Sequence, residues 1–168
     1  MNKRVKTAFI IFSIALPFLI YCFYYYGMMI KNAPYRFTDF EYMVFKYGDG
    51  DSLVNKFDSR TGDYQYLTDR DSLVKKHLHI RRDDLLLIHR AAADMGFWNF
   101  PEREINDSAK AHGVKSAHYF IELVYKHKTK QVLYDEAFDG DPKLKDANGQ
   151  FIKSIQKVLD DVEERERK

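Results

Sequence analysis

From Thr7 to Ile30 the chain carries no charged residue. Wound as a helix at about 1.5 Å per residue, such a run covers roughly 36 Å, enough to cross a hydrocarbon core of about 30 Å. Ala33-Pro34 ends it. From Asp39 to Tyr47 the pattern then alternates, with Phe40, Tyr42 and Val44 on one face and Glu41 and Met43 on the other, the period of a strand. Gly48-Asp49-Gly50-Asp51 and Arg60-Thr61-Gly62-Asp63 are turn sequences. Between and after them, Leu53–Phe57, Tyr64–Leu67 and Leu73–Ile80 read as further strands.

The period changes at Asp83-Asp84. Leu85, Ile88, Ala92 and Met95 recur at helical spacing, with acids in the first turn and Gly96 at the C-terminal cap. Phe97, Trp98 and Phe100 are placed to close the end of that helix interface. Asn99–Ser116 shows no period and is longer than an ordinary connector. Tyr119, Ile121, Leu123 and Tyr125 alternate, a turn follows at His127-Lys128-Thr129, and Val132 and Tyr134 continue as a returning strand. After a loop over 138–148, a helix is expected from near Asn148, with Phe151, Ile152, Ile155, Val158, Leu159 and Val162 as its apolar stripe. The charged residues beyond Val162 are expected to fray. Strands followed by a helix, twice, predict an α+β domain in which an antiparallel sheet is packed by two main helices. Its expected core holds Val44, Leu78, Leu85, Ile88, Trp98, Ile121, Leu123, Phe151, Ile155 and Leu159.

Charge separates the two parts. Lys3, Arg4, Lys6, Lys31 and Arg36 are the five basic groups of residues 1–36, which hold no acid. Removing those five from the chain's 27 bases leaves 22 against 25 acids, so the remainder is slightly acidic and lacks the basic footprint of a nucleic-acid binder. The expected organisation is a basic flank over 1–6, a transmembrane signal anchor over 7–30, a connector over 31–37, an α+β domain over 38–162 and a charged tail over 163–168. Three bases before the span against two after it set the amino terminus in the cytoplasm and the domain outside, at the membrane of a bacterial cell. Tyr24, Tyr25 and Tyr26 then sit at the outer interface. A cleaved signal peptide would have a shorter apolar run and a small-residue cleavage triplet. Lipidation at Cys22 would need a small residue where Tyr21 stands. One cysteine also means that no internal disulfide holds the fold.

The Asp-Gly turn between strands, the helix ending in Gly96-Phe97-Trp98, the following strand pair, Pro142-x-Leu144 and the terminal helix together resemble uncharacterised small bacterial cell-envelope domains. The resemblance covers roughly residues 38–162. It implies the fold and an envelope location and carries no activity, cofactor or site residue.

Candidate chemistry is sparse. There is no Gly-rich phosphate loop, no His-Glu-x-x-His and no Gly-x-Ser-x-Gly. Asp49-Gly50-Asp51 offers too few oxygens for calcium, and Asp146-Ala147-Asn148-Gly149 matches only the middle of an EF-hand loop, so it reads as a helix start with an Asn cap. His77 and His79, two apart on an expected strand, could present two imidazoles to a metal, although Lys75 shares their face. Glu102, Glu104, Asp107 and His112 in the long segment are the candidate binding residues. That segment's first half is expected to pack beside Trp98 and its second half to be mobile. His89 and His118 read as boundary residues, and Lys126, Lys128 and Lys130 as a solvated hairpin edge. No cofactor is expected. The sequence favours a membrane-anchored binding or structural domain, with an unidentified envelope protein as a conceivable partner. The alternative is a metal-dependent enzyme or metal-binding envelope protein built on His77, His79 and the 99–116 segment.

Overall fold

The computed structural model describes residues 3–32, 35–50, 52–68, 70–106 and 116–167. Helix α1, Lys3–Asn32, is long and apolar enough to span a membrane, and its 20-residue stretch Ile11–Ile30 has no buried residue. The fold is α+β, with three helices and a seven-stranded, mostly antiparallel sheet. Its strands are β1 (Phe40–Asp49), β2 (Asn55–Asp58), β3 (Asp63–Leu67), β4 (Leu73–His77), β5 (Arg103–Glu104), β6 (Ala117–Tyr125) and β7 (Lys128–Asp135). They lie in the order β4-β3-β2-β1-β6-β7-β5, with only β5 parallel to its neighbour β7. Helices α2, Arg82–Asp94, and α3, Pro142–Arg167, pack against each other and supply Ile88, Ala92, Phe151, Ile155 and Leu159 to one core with the sheet.

The alternation in β1 is as expected, but its facing is reversed. Pairing with β6 slips between Phe40 and Tyr42, an irregularity of the bulge type. Phe40 therefore packs against the core, as do the fully buried Met43 and Phe45. Tyr42 lies beneath the Arg60 guanidinium, 4.1 Å from its ring centre. Val44 is 9% exposed yet stands outside the core cluster, and Leu85 is only partly buried. The other eight expected core residues belong to that cluster.

Helix α2 begins as its acids predict. Asp84 accepts the Arg81 backbone N–H at 2.8 Å, half of a capping box. Gly96 takes φ +70°, the left-handed cap, and releases the chain into a 3-10 turn that buries Phe97 and Trp98. Tyr35 stacks on Trp98 at 4.5 Å and meets Tyr125 edge-on, so the expected connector ends inside the aromatic core.

Helix α3 starts six residues before the position read from the sequence. Asp141 is its cap, accepting the Lys143 N–H at 2.9 Å, and Pro142 takes the first helical position, where no N–H is needed. Asn148 is thus a fully buried residue of the helix interior, not its cap. The far end does not fray at Val162. The helix runs to Arg167 because Arg165 makes a two-pronged bond to Asp84 (2.7 and 3.2 Å), Lys76 pairs with Glu163, and Glu166 accepts the His79 N–H.

Candidate functional site

Two polar features meet along α3. The first is buried. Strand β5 adds to the sheet edge when Leu133 N–H donates to Glu102 O at 2.9 Å, and this sets Glu104 opposite Tyr134. The Glu104 side chain is fully buried, and Asn148 Nδ2 donates to its Oε2 at 2.6 Å and to Leu144 O at 3.1 Å. Glu104 Oε1 and Asn148 Oδ1 have no hydrogen-bond partner among the described residues. Lys130, also buried, donates its ammonium to Phe100 O. Burial pushes the Glu104 carboxyl up to about 7, against the opposing Asn148 bond and Lys130 charge.

The second is open. Between α3 and the β6–β7 hairpin lies a cleft of about 400 Å³. Tyr119 and Tyr134 supply its sheet side, with Glu136 at the end of the hairpin, and Lys145, Asp146, Gly149, Gln150, Lys153 and Gln156 supply the α3 side. Gln156 also lines a neighbouring hollow of about 160 Å³ beside Tyr47, Tyr64 and Asp160. Register explains the tyrosines. Tyr47, Tyr119 and Tyr134 are direct cross-strand partners on β1, β6 and β7, with ring centres 6.1 and 6.3 Å apart. Desolvation raises the phenols of Tyr47 and Tyr119 and pushes Tyr134 up to about 12, so all three stay neutral at physiological pH. The cleft therefore offers hydroxyls, amides, two acids and two ammonium groups on an aromatic floor.

Among the described residues, those singled out in the sequence do not converge. His77 ends β4, His79 lies two residues beyond that strand, and both are exposed. Glu102 and Glu104 are at β5, the opposite edge of the sheet. Six strand spacings of about 4.8 Å put the two edges roughly 29 Å apart, too far to share one metal ion. Glu102 is exposed, whereas Glu104 is buried rather than presented on a surface segment. Asp107 and His112 lie outside the described residues, as does the second half of the long segment expected to be mobile. Among the described residues no group of three His, Cys, Asp or Glu side chains is placed to hold a metal.

Of the first half, Phe100 is buried with Phe97, and Asn106 bonds across to Ala137 O and Asp139 N–H. His89 is a boundary residue, bonded to the Tyr125 hydroxyl at 2.9 Å and depressed in pKa by burial. Lys130 is buried rather than part of a solvated hairpin edge. Spacing along the chain does not outline the cleft. Its one sequence signal was the tyrosine count in the strands, visible only after the strands are registered.

Comparison of the chain with protein families, with curated proteins and with solved structures finds no match.

Proposed function

We propose that this chain is a membrane-tethered binding module, with α1 as an uncleaved anchor, the amino terminus in the cytoplasm and the folded domain outside it, in a bacterial cell envelope. The observation that carries the reading is the bare apolar surface of α1. Phe18, Phe23 and Ile30 stand 66%, 76% and 75% exposed, and such a side chain left in water forgoes about 1.5–3 kcal/mol. A bilayer covers that surface along its whole length. The basic residues ahead of the span support the orientation. Recognition is supported by the lining of the cleft, which combines neutral tyrosines, amides and balanced charge. The domain would then act by holding a ligand near the membrane surface.

Reporter fusions test this. Alkaline phosphatase joined after Lys168 should be active and a green fluorescent protein joined there by the same export route should be dark. The opposite pattern places the domain in the cytoplasm and ends the reading.

A further inference from the structure

We propose that the cleft between α3 and the β6–β7 hairpin binds a neutral glycan, a short chain of uncharged pyranose sugars. The inference deepens the binding-module reading and rests on it.

Gly149 is the first observation. It sits inside a 26-residue helix, where glycine weakens the helix relative to alanine through its backbone freedom. Close packing does not require it, because a Cβ built there meets nothing within 4 Å. It lines the cleft, so the missing side chain leaves room there. The volume of about 400 Å³ lies within the roughly 300–1,000 Å³ of small-molecule sites.

The lining narrows the ligand. A pyranose ring has an apolar C–H face and a rim of hydroxyls. The first suits the flat, electron-rich ring of half-buried Tyr119, behind which Tyr134 is buried, and the second suits planar groups that both donate and accept. The amides of Gln150 and Gln156 are such planar groups, and the carboxylate of Asp146, which accepts from Gln150 Nε2 at 2.7 Å, adds a further acceptor. Glu136 and Asp146 balance Lys145 and Lys153, so no net field selects a strongly charged ligand. The neighbouring hollow shares Gln156 with the cleft and adds the acceptor Asp160, which suits a chain of hydroxyl-bearing sugars over a single one.

The test uses the full chain in nanodiscs of zwitterionic lipid, free of sugar-headed detergent. Maltotriose, cellotriose and N-acetylated chitotriose are titrated separately, read by calorimetry and by saturation transfer from protein to sugar protons. At least one should bind saturably, with the strongest transfer at its ring C–H protons. Gly149→Leu should weaken that binding at least tenfold without lowering the melting temperature, because the added side chain enters open space and leucine is the better helix former. Lys157→Ala, on an exposed position away from the lining, should leave it unchanged. Binding that survives Gly149→Leu overturns the site. A decaproline peptide is titrated in parallel: if it binds and no sugar does at 10 mM, the glycan is wrong and the binding-module reading stands. If neither sugar nor peptide binds, the glycan assignment is overturned, and the recognition role of the cleft loses its support.

Discussion

Glu104 shows what a single side chain can and cannot reveal before the fold is known. An acid in a polar stretch reads as a surface ligand. Its burial depends on β7, a strand some thirty positions later, and on Asn148 arriving in the middle of a helix. Asn148 reads as a helix cap because asparagine favours that position, while the stronger start signal, Asp141-Pro142, lies earlier. The burial has a measurable consequence. The Glu104 pKa rises from 4.5 unfolded to about 7 folded, so the folded chain holds this proton more tightly. Its contribution to stability is fully present below about pH 4.5 and is lost as pH rises through 7, a change of about 3 kcal/mol. His89 works in the opposite sense: its pKa is lowered by burial, and its share is lost as pH falls below 6.5. Comparison with Glu104→Gln cancels the histidine. Urea unfolding at pH 5, 6, 7 and 8 should show the variant gaining on the wild type by about 2–3 kcal/mol over that range, part of the change lying below pH 5. A constant difference would mean that Glu104 titrates alike in both states.

At the scale of elements, the strand periods and both domain helices were legible, because period two and period 3.6 are local properties of the chain. What escaped depends on neighbours. The slip in β1 is set by pairing with β6, and one extra residue moves Met43 and Phe45 to the core side in place of Val44. The charged end of α3 stays helical through partners on β4 and α2. There, desolvation raises the Asp84 carboxyl, but hydrogen bonds from Arg165 and Arg81 outweigh it and hold the pKa below its ordinary value. A soluble fragment spanning 35–168 should therefore be markedly more stable than one spanning 38–162. The shorter form loses Tyr35, whose removal alone resembles a buried aromatic truncation of about 3–5 kcal/mol, together with the Arg165–Asp84 and Lys76–Glu163 pairs. A thermal midpoint lower by more than about 10 °C is expected. Equal midpoints would place Tyr35 outside the core. Within α3, Ile155→Asp puts an unpartnered carboxylate at a fully buried site and should unfold either fragment, as read by loss of cooperative melting.

The whole molecule joins an apolar helix, in which no residue of Ile11–Ile30 is buried, to a domain with an aromatic-rich core. Its edges, β4 and β5, carry His77 and Glu104, and the sheet order keeps these two candidate residues apart. Polar groups collect instead along α3, the buried Glu104–Asn148 pair on its core side and the tyrosine-floored cleft on its flank. The proposed function depends on which side of a membrane the folded domain lies. The most direct measurement places a cysteine at exposed Lys157 in a Cys22→Ser background and labels intact cells with a membrane-impermeant maleimide. Labelling of Lys157→Cys in intact cells, to the extent reached after lysis, is the predicted result. Labelling that appears only after lysis contradicts an extracytoplasmic domain and, with it, the account of this chain as an outward-facing tethered module.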